Sequence, residues 1–187
     1  MNQSIGRDSP QFSVIIPAYN SAATLPRAID YVRAQSYGAH EIIVIDDGST
    51  DNTAEVVRGF GQQVRLLQQA NAGVSAARNR GAESANGDWL AFLDADDWWR
   101  EDCLQKLMQA LLDSQADLAY CGWQNVGAHN LSPEPHIPPA YEADDPVAAV
   151  LTGCPWPIHA ALIRRPILEA VDGFSERLFS SMDYDLW

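Results

Sequence analysis

Cysteine is scarce in this chain: Cys103, Cys121 and Cys154 are odd in number and share no C-x-x-C spacing. That excludes a disulfide framework and a thiolate zinc site, and it points to a reducing cytoplasm. Basic residues are also few, 12 Lys and Arg against 25 Asp and Glu, for a formal charge of −13. Arg78, Arg80, Arg164 and Arg165 form the only close basic groupings. A nucleic-acid backbone is therefore not expected as a partner, whereas a single small anion is. No unbroken apolar run approaches the ~18 residues of a membrane span. Residues 1–11 are polar and lack the apolar core of a secretory signal. The patterns G-x-G-x-x-G, G-x-x-x-x-G-K-S/T and G-x-S-x-G are all missing, which removes the common dinucleotide, P-loop and serine-hydrolase readings. There are no internal repeats.

What is present is enough apolar material, 47% of 187 residues, to close the core of one globular unit. Phe12 to Ile16 reads as a strand stopped by Pro17, and Leu25, Ala28, Ile29 and Val32 then recur at helical spacing behind Thr24 as a cap. The alternation continues. Strands are expected at 42–45, 64–67, 89–93 and 118–121, with helices around Val56–Phe60, Val74–Ala85 and Leu104–Leu111. Fully apolar strands between amphipathic helices indicate a mainly parallel sheet covered on both faces, a doubly wound α/β unit. After Trp123 the texture changes: 125–145 carries Pro133, Pro135, Pro138 and Pro139 and reads as loop. A strand at 159–163 and a short helix at 167–171 follow. Trp187 falls inside an amphipathic segment, which reads as an interrupted element.

Ligands of open α/β sheets bind beyond the carboxyl ends of the strands. The residues there are Pro17-Ala18-Tyr19-Asn20, Asp46-Asp47-Gly48-Ser49, Asn71-Ala72-Gly73 and Asp94-Ala95-Asp96-Asp97. Each group alone reads equally well as turn and helix-cap residues. Converging on one edge, their carboxylates would repel one another unless a cation offset them. Carboxylate ligands select a hard cation, and few protein ligands plus substrate phosphates is the Mg²⁺ or Mn²⁺ pattern. If the strand geometry persists to its end, Asp94 and Asp96 face the same way and share that ion. His40, His129, His136 and His159 are scattered, three of them beside turn or proline residues, and each reads as a surface or packed histidine rather than a ligand; His159 is the one to watch.

Four ordered motifs make the reading specific. Phe12-Ser13-Val14-Ile15-Ile16-Pro17-Ala18-Tyr19-Asn20, Asp46-Asp47-Gly48-Ser49-Thr50-Asp51, Asn71-x-Gly73 running into Ala77-Arg78-Asn79-x-Gly81, and Asp94-Ala95-Asp96-Asp97 resemble family 2 glycosyltransferases in order and spacing. The resemblance covers almost the whole chain, from Phe12 to Trp187. It implies a GT-A type α/β fold, with 12–122 as the nucleotide-sugar-binding half and 123–187 as an acceptor-side half truncated at its C-terminus.

For the site, the resemblance implies that Tyr19 lies against the nucleotide base, and that Asp47 or Asp46 accepts from the base imide, which favours uracil. Pro17, Ala18, Asn20, Asn71 and Gly73 belong to the same donor pocket. Arg78 approaches the nucleotide, Asp94 and Ala95 the ribose and donor sugar, and Asp96 the Mn²⁺ or Mg²⁺, with Asp94 able to exchange roles with it. Asp172-Gly173-Phe174-Ser175-Glu176 and Met182-Asp183-Tyr184-Asp185-Leu186-Trp187 resemble the acceptor-side segments and put Asp183 at the catalytic base. Asp172, Ser175 and Met182 depart from the family pattern. Implied partners are a UDP-sugar donor and a saccharide or lipid-linked saccharide acceptor, in polysaccharide or glycoconjugate synthesis. The implied setting is the cytoplasm, with contact at the inner face of the membrane left open. Two other readings compete: a non-catalytic nucleotide-sugar binding module, and a sugar-1-phosphate nucleotidyltransferase, which would need a glycine-rich basic loop that 17–21 does not offer.

Overall fold

In a computed structural model the described residues are 10–127, 134–141, 145, 147–148, 156–178 and 182–186, with 183 and 184 described by their backbone alone. The strands are β1 (Phe12–Ala18), β2 (Glu41–Asp46), β3 (Arg65–Gln68), β4 (Trp89–Phe92), β5 (Leu118–Tyr120) and β6 (Ala161–Arg164). The helices are α1 (Leu25–Arg33), α2 (Thr53–Gly59), α3 (Val74–Ser84), α4 (Cys103–Ser114), α5 (Arg165–Ala170) and α6 (Met182–Leu186). The strands form one six-stranded sheet in the order β3-β2-β1-β4-β6-β5. β1 is parallel to β2 and β4, and β2 to β3, while β6 runs antiparallel between β4 and β5. The expected doubly wound, mainly parallel α/β sheet is therefore what forms. Residues on either side of position 122 share it.

Strand alternation divides the core into two layers. Val14 and Ile16 of β1 join Val44, Leu25, Ile29, Val57, Leu104 and Leu107, the layer beneath α1, α2 and α4. Ile15 joins Ile43, Ile45, Ala77, Phe92, Leu168 and Phe174 on the opposite face, beneath α3 and α5. The small side chains of α3 are what allow it to sit close. A Cβ at Gly81 would lie 2.4 Å from Ile15 Cγ2, so the alanine- and glycine-rich run is a packing requirement of this helix.

Differences from the sequence expectation are local. The expected strand at 159–163 begins instead with a 3₁₀ turn, Ile158–Ala160, because Ala160 N bonds back to Pro157 O at 3.0 Å. In the 125–145 loop, an isolated antiparallel bridge joins Trp123 to His136, while 128–133 and 142–144 lie outside the described residues. Among the described residues no helix is long and apolar enough to cross a membrane.

Candidate functional site

The four loops singled out in the sequence do follow β1–β4 at their carboxyl edge; side-chain bonds tie the first three to one another, and Arg78 of α3 and Arg27 of α1 hold the fourth. Asn20 has a left-handed backbone, φ 50°. Its Oδ1 accepts from Thr50 N at 2.8 Å and from Asp51 N, while Asn20 N donates to Ser49 Oγ at 2.9 Å. The first loop is thus bonded to the second. Asp46 and Asp47 are buried and build the next joints. Asp46 accepts from Ser49 N and Gln68 Nε2, both at 3.0 Å. Asp47 Oδ1 accepts from Gln69 Nε2 at 2.7 Å and Ala72 N at 2.9 Å, and its Oδ2 from Gly73 N at 2.9 Å. Gly48, at φ +77°, lets Asn71 pass so closely that a Cβ would sit 2.7 Å from Asn71 N.

Around this frame the donor-side residues are distributed by exposure. Pro17 and Ala18 end β1 and are buried, whereas Tyr19 is half exposed and Asn20, Asn71 and Gly73 are exposed at the rim. Arg78 is drawn from α3 into the interior, only 4% exposed, where it lies over the Phe174 ring at 5.5 Å and donates to Asp94 Oδ1 at 2.7 Å. Arg78 Nε and, one turn earlier, Ser75 Oγ are fully covered without a partner among the described residues. Buried donors are seldom left over in this way in a packed core.

The acidic turn after β4 departs from strand geometry. β4 ends at Phe92, Ala95 is buried in the core, and Asp97 N bonds to Asp94 O at 3.1 Å, closing a turn. A turn brings Asp97, not Asp96, back beside Asp94. The condition under which Asp94 and Asp96 would face one way, a continued strand, is not met in this conformation. Asp96 is exposed, and its carbonyl accepts from Arg27 Nη2 at 3.2 Å.

His159 completes the group. Its Nδ1 lies 3.0 Å from Asp97 Oδ2, Trp99 Nε1 holds its carbonyl at 2.6 Å, and donor atoms of Asp94, Asp97 and His159 all lie within 4.8 Å of one another. Burial alone would depress the imidazole's pKa, but the Asp97 hydrogen bond and the charges of Asp97 and Asp94 outweigh it and raise the value. Two carboxylates and an imidazole suit a divalent cation on the hard side of borderline, Mn²⁺ more readily than Mg²⁺. The 3₁₀ turn that delivers His159 follows Pro157. The pairing with Asp97 had no sequence signal, because it depends on β6 being inserted beside β4.

At the segment that the family resemblance assigns to the acceptor, Asn79 of α3 grips the backbone of Phe174, accepting from its N–H at 2.8 Å and donating to its carbonyl at 2.9 Å, with a further bond to Glu176. The motif Asp172–Glu176 is thereby fixed to the donor-side helix. Asp183 falls in α6, and its side chain lies outside the described residues.

Comparison with known proteins identifies the family and the fold. The family model described as glycosyl transferase family 2 matches residues 13–171. The amylovoran biosynthesis glycosyltransferase AmsB of Erwinia amylovora is 35% identical over 191 residues, covering 94% of this chain and 62% of AmsB. The uncharacterized glycosyltransferase YibD of Escherichia coli K12 is 44% identical over 114 residues, 59% of this chain and 33% of YibD. Among solved structures, S. aureus TarS 1–349 in complex with UDP has a TM-score of 0.75 at 24% identity, covering 94% of this chain and 53% of that one. The mannosyltransferase PcManGT from Pyrobaculum calidifontis, in complex with GDP-Man and Mn²⁺, has a TM-score of 0.69 at 22% identity, covering 95% and 50%. At such identities the two structures are likenesses of fold, a GT-A type α/β fold. The chain spans less than two thirds of the length of each of these relatives. With the family model matched over most of its length and the motifs assembled at one edge, the chain belongs to glycosyl transferase family 2.

Proposed function

We propose that this chain is a single catalytic domain that transfers a sugar from a UDP-sugar to an acceptor hydroxyl, with inversion, in polysaccharide or glycoconjugate synthesis. The observation that carries the reading is the bonding of the first three loops to one another, with Arg78 of α3 tied to Asp94 of the Asp94–Asp97–His159 group. UDP bound to TarS and GDP-Man with Mn²⁺ bound to PcManGT support a nucleotide sugar and a divalent cation here.

In this reading the half-exposed Tyr19 ring stacks on the base. Asp47 spends three lone pairs on its own chain, and a carboxylate offers about four, so one remains for the uracil imide. Arg78 trades part of its hold on Asp94 for the diphosphate, a switch its several donors permit. The cation, Mn²⁺ or Mg²⁺, would be held by Asp94 with Asp97 and His159. Asp96, which the family resemblance puts in direct metal contact, stands on the same turn. When bound, the cation supplies Lewis-acid stabilisation of the leaving diphosphate. Asp183 takes the proton of the acceptor hydroxyl as that oxygen attacks the anomeric carbon and the nucleoside diphosphate departs from the opposite face. One displacement inverts the configuration. The acceptor is a saccharide or lipid-linked saccharide, and the latter would bring this cytoplasmic domain to the inner face of the membrane.

Met182 stands where the family has an acidic residue beside the base, and this favours one rival, a nucleotide-sugar binding module without catalysis. Asp183→Asn separates the two. We expect UDP release from a UDP-sugar to fall by about 10²–10⁴-fold while UDP affinity is unchanged. If the native protein releases no UDP from any UDP-sugar with any saccharide acceptor, the binding-module reading stands instead.

A further inference from the structure

His159 reaches Asp97 from a short excursion of the chain, and one residue holds both ends of it. The excursion leaves the buried Trp156, passes through Pro157 and the 3₁₀ turn Ile158–Ala160, and enters β6 at Ala161. Tyr120, the last residue of β5, is paired in register with Ala161. Its ring also stacks on Trp156, with centroids 4.2 Å apart and planes 3° from parallel. Register alone would leave the turn free to swing about the start of β6, and a second hold five residues earlier removes that freedom. Inside the excursion Pro157 has its φ fixed by its ring, Ala160 N–H bonds back to Pro157 O at 3.0 Å, and Trp99 Nε1 donates to His159 O at 2.6 Å. The His159 ring then lies with Nδ1 3.0 Å from Asp97 Oδ2. The Tyr120 hydroxyl serves a different segment: it donates to Pro139 O and accepts from Tyr141 N–H, both at 3.1 Å.

We propose that Tyr120 is a positioning residue for the Asp94–Asp97–His159 group: its stack on Trp156 and its register with Ala161 aim the His159 ring at Asp97, while its hydroxyl anchors only the 139–141 loop. That the group receives a cation rests on the function proposed above, whereas the aim of His159 does not. Two large rings lying face to face contribute through contact area and ring electrostatics, so the stack survives loss of the hydroxyl but not loss of either ring. Groups that orient a metal ligand from behind commonly change affinity by about 10–100-fold.

The test compares the native chain with Tyr120→Leu and Trp156→Leu, which remove the stack from either side, and with Tyr120→Phe, which removes the hydroxyl alone. One readout needs no metal: the rates at which diethyl pyrocarbonate modifies His159 and His40, followed by mass spectrometry of a digest. A ring released from Asp97 has a free Nδ1, so His159 should react faster in both leucine variants and at the native rate in Tyr120→Phe. His40, whose N–H bonds to Phe12 O at the opposite edge of the sheet, should keep its rate throughout. The other readout is calorimetric titration of Mn²⁺, and of UDP without Mn²⁺. We expect Mn²⁺ affinity about ten-fold weaker in both leucine variants and unchanged in Tyr120→Phe, with UDP affinity unchanged in all three. Native His159 reactivity in both leucine variants overturns the proposal. A parallel rise at His40 or a loss of UDP affinity overturns it too, because Tyr120 would then be a general support of the fold. So does an effect of Tyr120→Phe equal to that of Tyr120→Leu, which would move the role to the loop. If the native protein binds no Mn²⁺ while the reactivity pattern holds, the cation reading fails and the positioning of His159 stands.

Discussion

Arg78, buried to all but 4% of its surface, donates from Nη2 to Asp94 Oδ1 across 2.7 Å. The guanidinium thereby joins α3 to the first residue of the acidic turn. Removing it leaves Asp94 without its cationic partner and opens a space over Phe174. A buried pair broken on one side costs about 3–5 kcal/mol. Asp94 is one-third exposed, so water takes over part of that role and we expect about 2 kcal/mol for Arg78→Ala. Urea unfolding would measure it. Arg78→Lys should not restore UDP affinity, because a single ammonium cannot serve Asp94 and a phosphate as a planar fork can.

Gly48→Ala tests the joint between the second and third loops. The site combines φ +77° with a 2.7 Å approach to backbone of Asn71, so strain and steric contact act together. We expect a loss of about 2 kcal/mol and a matching fall in UDP affinity. Differential scanning calorimetry and a UDP titration would read both.

The order of effect at the acidic turn is a sharper test. Asp97 is paired with His159 beside Asp94, while Asp96 faces solvent. Mn²⁺ titration should show a larger loss for Asp97→Ala than for Asp96→Ala. The reverse order would place Asp96 in direct metal contact, as the family resemblance implies, and would require the turn to rearrange when the donor binds.

Glu41 carries the clearest pH signature outside the site. Burial works to raise its pKa, but bonds from Asn86 N–H, Ser13 Oγ and Asn86 Nδ2, with Arg65 nearby, more than offset this and hold it below its ordinary 4.5. A depressed carboxylate contributes stability that is present above its unfolded pKa and is lost as pH falls through the folded value. Native protein should therefore lose stability below about pH 4.5 more steeply than Glu41→Gln. The variant should be weaker by about 1–2 kcal/mol at neutral pH. Parallel acid-unfolding curves would contradict the assignment.

Much of this molecule was legible in the sequence because its strongest signals are local. Unbroken apolar strands such as Ile42–Ile45 can only be buried on both faces, and Leu104, Leu107, Met108 and Leu111 repeat at helical spacing, so α/β architecture followed. The loops at 17–20, 46–49, 71–73 and 94–97 were found because each sits directly after a strand. What was not legible depends on packing across the sheet. Insertion of β6 beside β4 brings His159 to Asp97, and no spacing in the chain encodes that. The placing of Asp97, rather than Asp96, beside Asp94 follows from a buried Ala95 and one turn hydrogen bond, a local change from strand to turn that residue pattern does not specify. Gln68 and Gln69, which hold Asp46 and Asp47, belong to none of the sequence motifs.

The central claim, that the edge built by these four loops binds a nucleoside diphosphate with a divalent cation, is tested most directly by calorimetric titration of UDP with and without Mn²⁺, against GDP and dTDP, on the native chain and on Asp94→Ala. The account predicts UDP binding that strengthens with Mn²⁺, exceeds that of GDP and dTDP, and is lost in the variant. Binding that ignores Mn²⁺ and Asp94, or no binding of any of the three nucleotides, would contradict it.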